Sequence, residues 1–248
     1  MALMDIGPGD PTMKEQSERV IVKRLLNSTL PIDNKPAIDV LKSVSKKSGL
    51  SVPFLAANAL QEGMNNVLSK NSNLGKHGET YPINGYEYYG LDTFGDAADR
   101  LIKKGYLPVN FDYQKFGEQN EHGTEITSAR FKNNEDALMA KAAYLRDFQD
   151  SVNDYASKKK VKLDKYTQEY LTMSAYNGGM NNAKTMIDEL ATGRFNQRDY
   201  VSRGQTSMQG IHKNIKPRLQ KQSWIDEDFM QPQQNPFPMF TDLMSSIR

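Results

Sequence analysis

Glu62 stands where a helix with an apolar stripe gives way to a loop rich in Asn and Gly. A carboxyl at such a place is partly desolvated. Desolvation raises its pKa and lets it donate a proton near neutral pH. Glycosidic cleavage needs a donor of this kind for the leaving oxygen. Downstream comes Tyr88-Tyr89-Gly90-Leu91-Asp92-Thr93-Phe94-Gly95, which carries a second carboxylate among aromatic and small residues. Further on, Ser174-Ala175-Tyr176-Asn177-Gly178-Gly179 sets a phenol and a carboxamide at the mouth of a helix. Both can hydrogen-bond sugar hydroxyls or an N-acetyl group, and a tyrosine can stack on a pyranose face. Taken singly, Glu62 reads as an ordinary helix-end glutamate and Tyr176-Asn177 as a helix C-cap. Their occurrence together carries the chemical reading.

The elements that must position these residues are mostly helical. Ser51 is a good N-cap, and Pro53 suits a first turn. The helix they open runs to Glu62, with Leu55, Ala59 and Glu62 on one face. Before it, residues 14–28 form one helix. Residues 37–48 form another, carrying Ile38, Leu41 and Val44 and stopping at Gly49. Residues 63–94 lack helical periodicity, and the spacing predicts a small β-hairpin over Tyr81 to Tyr89, turning at Asn84-Gly85. A helix over 96–104 opens on Asp96 and ends at Gly105; residues 106–132 read as loop, mobile around 115–127.

The strongest helical pattern spans 134–157, where Leu138, Ala142, Leu145, Phe148, Val152 and Tyr155 recur at three and four residues. Asn134 is its expected cap, and Lys158-Lys159-Lys160 suits its C-terminus. Asp164 caps a helix over about 165–177 that ends at Gly178-Gly179, and a further helix covers about 180–191. Residues 194–220 are mixed. From Trp224 the Pro- and Gln-containing sequence reads as an extended tail, with Phe237, Phe240 and Leu243 as apolar hooks for a partner.

Composition excludes several chemistries. The 248 residues hold no cysteine, so a disulfide, a thiol nucleophile or a Cys-ligated zinc is impossible. The histidines, His77, His122 and His212, show no metal-pair spacing, so neither a metal nor a cofactor is expected. A net charge of +2 gives no argument for nucleic acid. No stretch has the apolar length of a membrane span. The opening residues, Met1 to Pro8, lack the basic and apolar regions of a signal peptide.

Glu62, the Asn-rich loop, Gly90-Leu91 and Ala175-Tyr176-Asn177-Gly178-Gly179 come in that order at this spacing. The arrangement resembles the soluble lytic transglycosylase and goose-type lysozyme superfamily over about residues 37–192. The Ala-Tyr-Asn-Gly-Gly match is its most specific part. The sequence departs from the family pattern at Gly63, where Ser is usual, and at Asp92-Thr93, where Met-Gln is usual. Residues 105–132 are a polar insertion relative to compact members.

The resemblance implies a mainly α, lysozyme-like helical domain over 37–222, preceded by an N-terminal segment over 1–36 and followed by a docking tail over 223–248. It implies Glu62 as general acid and then base, acting on the MurNAc-GlcNAc β-1,4 bonds of peptidoglycan. Tyr89, Gly90, Leu91, Thr93, Tyr176 and Asn177 would bind the glycan. Members with a lone Glu use the substrate's N-acetyl group and release anhydro-muramyl ends. A hydrolase would need a second carboxylate, for which Asp92 is the first candidate; Asp96 is better explained as a helix cap. The expected setting is a phage virion or tail, with other virion proteins met through the tail. Two alternatives stand beside this: an inactive structural virion protein on the same fold, and a helical adaptor with no link to glycans.

Overall fold

The computed structural model describes residues 13–30, 33–61, 94–119, 125–131, 133–193 and 206–230. Among them the chain is mainly helical. Eight α-helices appear in order: α1 (Met13–Asn27), α2 (Ala37–Ser48), α3 (Val52–Ala59), α4 (Phe94–Lys103), α5 (Asn134–Lys158), α6 (Lys165–Gly178), α7 (Met180–Ala191) and α8 (Thr206–Ile225). A π-helical turn, Asp226–Met230, follows α8 directly. Two antiparallel strands, β1 (Gln114–Gln119) and β2 (Glu125–Arg130), form a hairpin between α4 and α5, with Gln114 opposite Arg130 and Gln119 opposite Glu125.

Short polar signals set most boundaries. Ser51 accepts from the Phe54 N–H, and Asp164 from the Thr167 N–H, as N-caps do. Gly49 at φ 74 closes α2 by bonding back to the Ser45 carbonyl. Gly105 at φ 75 ends α4; its N–H meets the Ile102 carbonyl, and that of Tyr106 meets Leu101. This Schellman pair uses two of the helix's last free carbonyls.

α3 is the centre of the molecule. Every residue from Val52 to Leu60 is buried, so the helix is covered on all sides rather than along one apolar stripe. α2 packs on it from one direction and α8 from another. α5 lies against α2, α4, α6 and α7, and α6 against α5, α7 and α8. α1 closes the assembly by packing on α2 and α8. Tyr144, Phe54, Leu26, Leu30, Leu41 and Leu55 are among the side chains almost wholly removed from water. Each apolar side chain of that size contributes roughly 1.5–3 kcal/mol.

Four expectations are corrected. α5 is capped by Asn133, whose Oδ1 accepts the Asp136 N–H at 2.7 Å, while Asn134 is the first helical residue. A second cap comes from elsewhere in the chain. Asp33, in the connection before α2, accepts the Asn134 and Glu135 N–H groups at 3.1 and 3.2 Å. α4 begins at Phe94, so Asp96 lies inside the helix and is not its N-cap. The stretch read as loop over 106–132 holds the β1–β2 hairpin; the hairpin expected over Tyr81 to Tyr89 lies outside the described residues. The tail does not start at residue 223. α8 runs to Ile225, and Trp224 and Ile225 are buried because they pack into the core. Residues 231–248 lie outside the described residues.

Candidate functional site

The described residues bring the C-terminal ends of α3 and α6 together through α8. Asn58, on the last turn of α3, is fully buried and donates from Nδ2 to the Phe54 carbonyl at 3.0 Å. Its Oδ1 faces Arg218 Nη1 on α8, at a long 3.5 Å. One turn further along α8, Lys221 Nζ donates to Gln61 Oε1 at 2.8 Å. Burial pushes the Lys221 ammonium below its ordinary pKa. At Leu60 and Gln61 the backbone widens into a π turn, a local irregularity often met at functional sites. Glu62 is the residue joined to Gln61. It lies outside the described residues, as do Tyr89, Gly90, Leu91, Asp92 and Thr93.

Tyr176 and Asn177 are described, on the last turn of α6. Tyr176 is half-buried in an aromatic cluster. Its ring meets Tyr144 at 6.1 Å and Phe148 at 6.3 Å, both edge-on, a favoured geometry for aromatic pairs. Two cations lie over it. Lys141 Nζ stands 4.8 Å from the ring centroid and 3.3 Å from the hydroxyl. Arg218 Cζ stands 5.8 Å from the same centroid. Asn177 turns its Nδ2 back to the Met173 carbonyl at 2.9 Å, so its amide donor is partly used within the helix. Gly179, at φ 82, then reverses the chain into α7.

The cations are the residues that sequence reasoning missed. Lys141 is wholly buried and Arg218 is 3 % exposed. Charged side chains are rarely buried without charged or polar company. The signal for Lys141 lay in the pattern itself: it falls between Leu138 and Leu145, in the apolar stripe of α5. Arg218 had no such signal, since it follows Pro217 in a stretch without clear periodicity. No family model, curated protein or solved structure matches the chain.

The assembly is therefore a phenol, a carboxamide, a guanidinium and an ammonium gathered where α3 ends. Such a set can hold a polar, hydroxylated or anionic group by hydrogen bonds and by the ring face. Among the described residues, no three His, Asp or Glu side chains lie close enough to hold a metal ion. No described helix is long and apolar enough to cross a membrane.

Proposed function

We propose that the chain is a peptidoglycan-cleaving glycosidase on a lysozyme-like helical fold, with Glu62 as general acid and base. One observation carries this reading. Arg218 reaches both Asn58, on the turn before Glu62, and the ring of Tyr176. Asn58, four residues before Glu62, and Tyr176, far from it in sequence, thus share one side chain, which supports the reading. In this reading Glu62 protonates the leaving oxygen, while Tyr176 and Asn177 hold the sugar beside it. Asp92 is the carboxylate that would place a water in a hydrolase; without it, the substrate's N-acetyl oxygen bonds C1 as the leaving oxygen departs with the Glu62 proton, and the C6 hydroxyl then displaces it, returning its proton to Glu62. Tyr89, Gly90, Leu91 and Thr93 complete the glycan contacts. Delivery by a virion or phage tail, with other virion proteins as partners, belongs to the same proposal.

The experiment is mass spectrometry of soluble products after the full chain meets purified sacculi. Anhydro-muramyl ends establish a transglycosylase, and reducing muramic ends a hydrolase that needs Asp92. Glu62→Gln should abolish release of either product while the protein stays folded. Lysis by that variant would sink the assignment.

Lys141 and Arg218 favour a second reading, an inactive structural protein that keeps the fold. Both cations lie against Tyr176, Lys141 at its ring and hydroxyl and Arg218 at its ring, so the phenol of the glycan reading is already engaged within the fold. In that case no product is released from any wall at any pH.

A further inference from the structure

The opposite ends of α3 and α6 border another candidate site. Ser51, the N-cap of α3, and Lys165, the first residue of α6, both line a solvent-open cavity of about 520 Å³. α3 has 8 residues and α6 has 14. At ~1.5 Å per residue the cavity lies roughly 12–21 Å from the helix ends that carry Asn58 and Tyr176. Its volume is within the range of roughly 300–1,000 Å³ usual for small-ligand pockets.

The lining is unusual for its polarity. Gln149 borders the cavity with only 8 % of its surface exposed. Among the described residues nothing hydrogen-bonds its carboxamide. The carboxamide therefore keeps its donor and acceptor for whatever fills the cavity, water or a ligand group that replaces it. Beside it, Gln168 Nε2 donates to Asn153 Oδ1 at 2.7 Å. That bond orients both side chains. It leaves Gln168 Oε1 as an acceptor and Asn153 Nδ2 as a donor on the same lining.

The charges on the lining are already balanced. Arg146 pairs with Asp150 at 3.0 Å, and Lys165 lies near enough to the Glu169 carboxyl to favour its ionised form without forming an ion pair. Glu169 is itself held by Ser51 at 3.0 Å and by Gln222. Neither a strong anion nor a strong cation is called for. Carboxamides that donate and accept side by side match a ligand whose groups do the same, which describes sugar hydroxyls. We propose that this cavity is a carbohydrate-binding site for a single sugar residue, read by Gln149, Asn153 and Gln168. It is separate from the Tyr176 site and does not depend on Glu62 being catalytic.

The test is NMR titration of the full, isotopically labelled chain with N-acetylglucosamine and, separately, with inorganic phosphate. The sugar should shift the side-chain amide signals of Gln149, Asn153 and Gln168 in a saturable way, at millimolar concentration. Gln149→Leu and Asn153→Ala should each weaken that response about tenfold or more. Gln149→Leu removes a carboxamide that has no partner among the described residues, so the variant should fold at least as well as wild type. Tyr176→Phe should leave the response unchanged. Three outcomes would overturn the proposal: no shift of these amides with the sugar, saturation by phosphate alone, or sugar binding indifferent to both substitutions.

Discussion

Lys141 and Tyr176 form a cation–ring pair inside the protein: the ammonium lies 4.8 Å from the ring centroid and also donates to the hydroxyl at 3.3 Å. The tyrosine thus serves the core with its ring and a charge with its oxygen. The two uses separate by substitution. Tyr176→Phe keeps the edge-on packing with Tyr144 and Phe148 and loses only the acceptor. It should cost about 1–2 kcal/mol in urea unfolding. Tyr176→Ala should cost about 3–5 kcal/mol, because the cluster loses its shared ring. If the proposed glycan role holds, Tyr176→Phe should lower turnover on sacculi at full folding. Unchanged kinetics in the phenylalanine variant would confine Tyr176 to a structural part.

Glu169 and Asp228 should shape the pH dependence of stability in opposite senses. Burial lifts Glu169 above the ordinary carboxylate range, against the lowering hydrogen bonds from Gln222 and Ser51. A raised folded-state pKa adds stability that is complete below the unfolded value and is lost as pH climbs through the folded one. Glu169→Gln should therefore gain on wild type as pH rises from about 4 to 7. Asp228 is held below its ordinary value, chiefly by its hydrogen bond from Arg19. Its contribution is present above the unfolded value and is lost as pH falls. Asp228→Asn should flatten the acid limb of the stability curve. Urea midpoints measured across that range check both, and parallel curves for wild type and either variant would contradict the assignment.

Asp33 caps a helix to which it is not adjacent in sequence. Its carboxylate takes the Asn134 N–H, the Asn134 Nδ2 at 2.7 Å and the Glu135 N–H. Asp33→Ala should cost about 1–2 kcal/mol. Thermal unfolding unchanged in that variant would mean that Asn133 suffices alone.

The C-terminal boundary can be tested by truncation. Removing residues 224–248 deletes the buried Trp224 and Ile225 and the Arg19–Asp228 ion pair at 2.8 Å. That should cost roughly 3–6 kcal/mol from the two apolar side chains. Removing only 231–248 leaves every described contact in place, so its midpoint should stay above that of the longer deletion. Equal midpoints for the two truncations would place the whole segment outside the fold.

Sequence reasoning succeeded where a boundary is set by local chemistry. Ser51, Asp164, Gly49 and Gly105 act within a turn of their own position, so their types alone announce the helix ends. It failed where a distant partner decides. Asp33 caps α5 from far away, and nothing near Asn134 discloses it. The β1–β2 hairpin is built from Gln-Lys-Phe-Gly-Glu-Gln and Glu-Ile-Thr-Ser-Ala-Arg, in which apolar and polar residues do not alternate. α8 hides because Pro217 interrupts its pattern, yet its packing on α1, α3 and α6 makes it structural. Of the site, Tyr176 and Asn177 were legible as a motif. Of their cationic neighbours, Lys141 left a trace in the apolar stripe of α5, and Arg218 became apparent only through burial.

The bond between Arg19 and Asp228 joins groups separated by 209 positions. With α8 packed on α1 and α3, it has a consequence for synthesis. A chain made from its N-terminus has α1, α2 and α3 long before it has α8. Until then, one flank of the central apolar helix faces water or a chaperone. The packing around α3 is therefore complete only once α8 has been made. A product broken off early would be a protease target in place of a slower version of the same protein.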